Sequence, residues 1–359
     1  MPSSNLHTLI EKIHNAEGHF EIAVTGGGSS AISHLLAIPG ASRSVLNAVV
    51  PYSEAALRHY LGTKPHQACS ESTARMLATR AFHNARQLCS TRVIGIGATA
   101  ALQTDRTRRG DDQIYVAVQS SARTRVYSLQ LDKNGTREQQ EAECAQLIIK
   151  VIATNLDVQA LAPIAPLQEQ TGEDSWQHLL LGDITATTSL HYHAILPGAF
   201  NPPHQAHFDI RQLAEQKLGT AVAFELSAFN VDKPPLDFID LTQRQDWLGD
   251  APVVFTHAAT FLEKSAIFPG ATFVVGIDTL KRIDESKYYG DSDLAKADAI
   301  DQFRDNGHHF LVFGRTIEDQ FQTLSNVQIS QNLRELCIEV VEEEYRLDIS
   351  STKIRTVHL

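Results

Sequence analysis

Short β-branched apolar blocks alternate along this chain with longer stretches whose apolar positions recur every three or four residues. In the first half the blocks fall at residues 20–24, 92–97, 113–118 and 123–131 and read as strands. The helix-spaced stretches fall at 5–16, with Leu9, Ile10 and Ile13 on one face, and at 31–36, 71–88 and 137–155. In the second half, strands are expected at 193–196, 221–226, 252–256, 271–276, 308–313 and 337–342, with helices at 208–218, 258–265 and 294–305. Strand–helix alternation of this kind predicts an α/β fold in which helices cover both faces of each sheet, giving two three-layer α/β/α domains. A length of 359 residues suits two domains. Residues 161–185 hold Pro163, Pro166, Gly172 and several Gln and Glu, and read as a linker. The expected domains are therefore 1–160 and 186–359.

Candidate chemistry concentrates at strand ends. The block at 193–196 runs into Gly198-Ala199-Phe200-Asn201-Pro202-Pro203-His204-Gln205-Ala206-His207, and a helix-like run follows. A turn at a strand end brings backbone N–H groups near an anion, and a helix N-terminus adds a favourable dipole. Two imidazoles three residues apart then donate to phosphate oxygens as charge builds. The stretch resembles the H-x-G-H signature of nucleotidylyltransferases, with Ala206 in place of the usual glycine. Near the end of the sequence, Ile349-Ser350-Ser351-Thr352-Lys353-Ile354-Arg355 resembles the I-S-S-T-x-I-R signature of the same superfamily.

That resemblance implies a Rossmann-like fold for 186–359. It assigns His204 and His207 to the ATP phosphates and Ser350, Ser351, Thr352 and Arg355 to the β- and γ-phosphates. In nicotinamide and nicotinate mononucleotide adenylyltransferases a lysine-bearing loop follows the second strand, which points to Lys233. Their G-x-D strand end corresponds to Gly276-Ile277-Asp278, and an Arg at a later strand end corresponds to Arg315. The nucleotide-binding set is completed by Gly198, Ala199, Phe200 and Asn201.

The first half has its own strand–turn–helix at Thr25-Gly26-Gly27-Gly28-Ser29-Ser30. With Pro39-Gly40-Ala41-Ser42, Val49-Val50-Pro51-Tyr52-Ser53 and Gly95-Ile96-Gly97, the end of a strand expected to enter a turn at 98–102, it resembles the C-terminal domain of the CinA family. Active members of that family are nicotinamide-nucleotide amidohydrolases. The family's serine nucleophile, two residues before the T-G-G, is Ala23 here, and its lysine is Leu57. A serine without an activating base is a poor nucleophile, so Ser29 or Ser30 does not readily substitute. The expectation is a degenerate domain that keeps the fold without hydrolysis, with a tentative pocket of Thr25, Gly26, Gly27, Ser29, Ser30, Tyr52 and Ser53.

Composition narrows the partners. The formal net charge of −11 opposes non-specific nucleic-acid binding, although a local cluster can still take an anionic nucleotide. The 4 cysteines show no C-x-x-C spacing, and no metal-ligating pattern stands out. The absence of a long apolar run or leader-like start leads to an expectation of a cytoplasmic protein without a membrane role. A homo-oligomer is left open.

The combined expectation is adenylyl transfer from Mg²⁺-ATP to nicotinamide or nicotinate mononucleotide. The alternatives are another phosphorylated acceptor, or a nucleotide sensor without catalysis.

Overall fold

The computed structural model describes residues 4–105, 109–158, 164–229, 234–317 and 320–346. Its contacts divide the chain into two compact units, Met1–Leu181 with Asn230–Leu241, and Gly182–Phe229 with Thr242–Leu359.

The first unit runs α1 (Ser4–Asn15), β1 (His19–Thr25), α2 (Ser30–Ala37), β2 (Val45–Val49), α3 (Glu54–Leu61), α4 (Glu71–Leu88), β3 (Val93–Ala101), β4 (Gln113–Gln119), β5 (Arg123–Gln130), α5 (Arg137–Asn155), β6 (Gln168–Thr171) and α6 (Asp174–Leu181). The sheet order is β2-β1-β3-β4-β5-β6, parallel through β2-β1-β3 and antiparallel from β3 onward. Alternate residues of β1 face opposite sides. Phe20, Ile22 and Val24 join Ile10, Ile13, Leu35, Ile148 and Ile152 in the main core, while Ala23 packs with Leu57, Leu61 and Leu77 on the other face.

Two expectations change. The turn expected at 98–102 is replaced by strand: β3 runs on to Ala101, with the glycines at 95 and 97 inside it. A Cβ on Gly95 would sit 2.1 Å from the Ala78 carbonyl oxygen, and one on Gly97 2.2 Å from that of Ala74. They are glycines so that α4 can lie directly on the strand. The stretch expected as a linker carries β6 and α6. β6 pairs with β5, and Trp176, Leu179 and Leu180 of α6 are buried. Its few apolar residues are spaced to fill a small surface, which a composition-based reading discounts.

Residues 234–241 also belong to this unit. Arg75 of α4 holds both carboxylate oxygens of Asp237 at 2.6 Å, and Thr124 accepts from the Phe238 N–H. Gly172 gives Phe238 room, since a Cβ there would meet its ring at 2.5 Å. Burial pushes the Asp237 carboxyl upward while the Arg75 guanidinium pulls against it.

The second unit is built on β7 (Ala194–Pro197), α7 (Gln205–Leu218), β8 (Val222–Ser227), α8 (Phe238–Leu248), β9 (Val253–Thr256), α9 (Phe261–Ile267), β10 (Thr272–Gly276), α10 (Ile277–Ile283), α11 (Asp293–Asp305), β11 (His309–Phe313), the hairpin β12 (Arg315–Ile317) and β13 (Gln320–Gln322), α12 (Gln331–Arg334) and β14 (Cys337–Val340). The main sheet is wholly parallel, ordered β14-β11-β10-β7-β8-β9. The chain therefore starts in the middle, moves outward to β9, then returns to β10 and moves outward the other way. This is the doubly wound Rossmann order, with its switch point between β7 and β10. Strands buried on both faces need continuous apolar sequence, and Phe273, Val274, Val275, Phe310, Leu311 and Val312 supply it. Among the described residues no helix is long and apolar enough to cross a membrane.

Candidate functional site

In a doubly wound sheet the crevice for a ligand opens beyond the carboxyl ends of the two strands at the switch point. Here those ends carry the histidine turn, after β7, and Asp278, after β10.

The turn is set by packing. Gly198 donates its N–H to the Glu225 carbonyl at 2.9 Å, which extends the β7–β8 ladder by one residue. Phe200 then adopts φ 42°, a region that side chains rarely occupy. Its ring is buried edge-on against Phe224, with centroids 4.8 Å apart. A Cβ on Gly198 would lie 2.5 Å from that ring, so glycine is required there. Arg244, buried in α8, donates to the Ala199 carbonyl at 3.2 Å and holds the turn from outside the motif.

His204 is the N-cap residue of α7, in extended conformation, and His207 lies in its first turn. Their rings stack with centroids 3.8 Å apart. The His204 backbone N–H donates to His207 Nδ1 at 3.0 Å. That bond fixes the tautomer: with Nδ1 accepting, the neutral ring carries its proton on Nε2. Burial pushes the His207 pKa down to about 4, with the His204 and Arg315 charges adding to the effect. Burial and Arg315 lower His204 as well. His207 is thus a neutral ring presenting one fixed N–H donor at physiological pH.

Arg315 opens β12 and reaches Asp278 in α10 at 2.8 Å. The structure therefore brings His204, His207, Asp278 and Arg315 into one electrostatic neighbourhood. Ala206, at the glycine position of the signature, buries its methyl group, and its carbonyl accepts from the Tyr345 hydroxyl at 3.3 Å. Tyr345 also packs edge-on against Phe313, and Arg346 lies over the Phe321 ring. Tyr345 thus lies beside the first turn of α7. Ser350, Ser351, Thr352 and Arg355 themselves, like Lys233, lie outside the described residues. Gly198, Ala199 and Phe200 form the turn, and Asn201 is exposed at its tip.

In the first unit the glycine turn is occupied from within. Glu141 of α5 accepts from the Gly28 N–H at 2.6 Å, the Ser30 N–H at 3.0 Å and the Ser29 hydroxyl at 3.1 Å. Burial opposes its charge, but these donors prevail and hold the carboxyl below its usual range. The Thr25 hydroxyl donates to the Pro51 carbonyl, and Ser53 caps α3 by accepting from the Ala56 N–H. Tyr52 is exposed, and its hydroxyl accepts from Arg137 at 3.0 Å. These residues surround a cleft of about 680 Å³ lined by Gly26, Gly27, Tyr52, Arg137, Glu138 and Glu141, among others. Sequence reasoning missed Arg244, Glu141, Arg137 and Tyr345. Each acts across a long sequence separation, and none stands in a local pattern.

Comparison with known proteins divides the chain in the same way. Residues 6–155 match the CinA C-terminal domain family, and residues 195–357 match the cytidylyltransferase-like family, a span that includes the Ile349 motif. Among solved structures, the chain is similar to the competence/damage inducible protein CihA from Agrobacterium tumefaciens, with 15% identity, 44% of this chain and 98% of that chain covered, and a TM-score of 0.37. It is also similar to a competence or damage-inducible protein from Enterobacter asburiae, with 16% identity, coverage of 42% and 96%, and a TM-score of 0.34. Comparison with curated proteins finds no match.

Proposed function

We propose that this chain, a nucleotidyltransferase-like domain joined to a CinA C-terminal-like domain, transfers the adenylyl group of ATP to nicotinamide or nicotinate mononucleotide. The observation that carries the reading is the stacked His204–His207 pair at the switch-point turn, with the His207 proton fixed on Nε2. In this mechanism a phosphate oxygen of the mononucleotide attacks the α-phosphorus of ATP, the bond to the bridging oxygen breaks, and pyrophosphate leaves. The protein forms no covalent intermediate, so its work is alignment and charge stabilisation.

His207 Nε2–H donates to a phosphate oxygen without adding a net charge, and His204 lies beside it. Arg315 supplies the full positive charge, and the Ala199–Phe200 turn shapes the approach. Lys233, Ser350, Ser351, Thr352 and Arg355 complete the phosphate contacts in this proposal. Mg²⁺ enters on the triphosphate, whose oxygens suit a hard cation that keeps most of its water, and Asp278 positions the nucleoside.

The pyridine assignment is supported by the fusion: active members of the CinA family act on nicotinamide nucleotides, and the second half resembles nicotinamide and nicotinate mononucleotide adenylyltransferases. It rests on analogy, because a fold does not fix a substrate. For the first unit we propose binding without hydrolysis. Ala23 and Leu57, at the positions of the family's serine and lysine, meet in one apolar cluster with Leu61 and Leu77. A nucleophile and its base are thereby replaced by a packed hydrophobic contact.

The test is pyrophosphate release by the purified protein with Mg-ATP or Mg-CTP and nicotinamide mononucleotide, nicotinate mononucleotide or no acceptor, with ammonia followed in parallel. Release that depends on ATP and one mononucleotide supports the proposal. Release with CTP alone assigns a different transfer, ammonia revives the amidase, and ligand binding without either product assigns a sensor.

A further inference from the structure

Three ion pairs among the described residues differ sharply in exposure. Lys264–Glu225 is 6% and 0% exposed, and Arg75–Asp237 is 9% and 3% exposed. Both are locked by further hydrogen bonds: Lys264 also reaches Ser227 and Ala258, and Asp237 also accepts from the Asp240 N–H. Arg315–Asp278 differs. It is 39% and 28% exposed and is joined at 2.8 Å, and its guanidinium is close enough to His204 and His207 to oppose their protonation. A buried pair cannot exchange partners without leaving a charge uncompensated. A half-exposed pair is weak, and a polyphosphate offers the guanidinium more oxygens and more charge than one carboxylate does.

We propose that Asp278 is a displaceable counter-ion of Arg315: a polyphosphate takes the guanidinium, and the released carboxylate accepts from a hydroxyl of the nucleoside. This rests on the nucleotide-binding reading above and deepens it. Local geometry supports it. A Cβ at position 276 would fall 2.7 Å from Asp278 Oδ1, so Gly276 leaves the carboxylate space over the strand end. The charge of Arg315 already reaches both imidazoles, whose protonation it opposes. In the free protein Asp278 therefore offsets a cation that would otherwise attract any passing anion. The site then favours ligands that bring both parts, a polyphosphate for Arg315 and a hydroxyl for Asp278.

The experiment is calorimetric titration of Mg-pyrophosphate and of Mg-ATP, without acceptor, into the full chain, Asp278→Asn, Arg315→Met and the double variant. Losing a pair of this exposure should tighten pyrophosphate binding to Asp278→Asn by up to about fivefold. ATP should bind that variant more weakly than wild type, because the hydroxyl acceptor is impaired. The double variant should bind pyrophosphate like Arg315→Met alone. Opposite signs for the two ligands are the signature. Equal tightening of both would reduce Asp278 to a repulsive charge and overturn the hand-over. No change in either, or no binding of either ligand to any of the four proteins, would overturn it too. Because no turnover is read, a protein that releases no pyrophosphate from ATP with any acceptor fails the transfer proposal and leaves this result readable.

Discussion

His207 has a folded-state pKa near 4 against 6.5 for a free imidazole, mainly because it is buried. The unfolded chain therefore takes up a proton between those two values while the folded protein does not. Stability contributed by this group is fully present above pH 6.5, and acidification toward pH 4 erodes it. The interval of about 2.5 units, at about 1.36 kcal/mol each, amounts to roughly 3 kcal/mol. His207→Asn removes the titration, so the stability advantage of wild type over this variant should shrink by that amount between pH 7 and pH 4. Denaturant unfolding across that range measures it. NMR of ring-labelled histidine measures the cause directly, and because the chain has 16 histidines the variant is needed to assign the resonance. The expected resonance titrates near pH 4 and carries its proton on Nε2. A midpoint near 6.5, an Nδ1–H tautomer, or a stability difference that does not vary with pH would refute the reasoning. The same donor predicts a kinetic effect. Removing one preorganised donor to developing charge costs about 10²–10³ in kcat, so His207→Ala should lose turnover per folded molecule on that scale at pH 8.

Arg75→Met strands a buried carboxylate on Asp237 and should cost about 3–5 kcal/mol in unfolding experiments, whereas an effect under 1 kcal/mol would show that water reaches the pair. Glu141→Gln keeps the size but removes the charge from the glycine turn; about 1–3 kcal/mol should be lost, and hydrogen exchange of the Gly28 and Ser30 amides should rise first. In the wild type the stability contributed by Glu141 is present above the ordinary carboxylate pKa and falls away as pH drops through its lower folded value, so the cost of Glu141→Gln should diminish in acid. Gly95→Ala places a methyl group against the backbone of α4 and should destabilise by about 1–3 kcal/mol or more; a neutral result would mean the helix can lift away from β3.

Much of the fold was legible because its signals are local. Apolar blocks such as 310–313 can only be buried strands, and a turn following each one places the crevice. His204 and His207 could be paired on paper, since residues three apart share one helix face. Tertiary partnerships left no such trace. Nothing in the sequence around Arg244 says that it will hold the Ala199 carbonyl, and Asp278 and Arg315 were each read singly although they face one another. The glycines at 95 and 97 announce a turn at 98–102 that β3 does not make, for a physical reason: a glycine that admits a turn and a glycine that admits a neighbouring helix look identical in one dimension. Residues 161–185 read as a linker because a four-residue strand and an eight-residue helix carry too little hydrophobic signal without the sheet edge they join.

The way residues 230–241 count with the first unit bears on how this protein can be cut. The chain leaves the second unit after Phe229 and rejoins it at Thr242. No single scission separates the two units. A fragment beginning at Gly182 would carry Asp237 without Arg75 and Phe238 without its place at Gly172, exposing an aromatic ring and a carboxylate shaped for burial. Such a fragment invites aggregation and proteolysis.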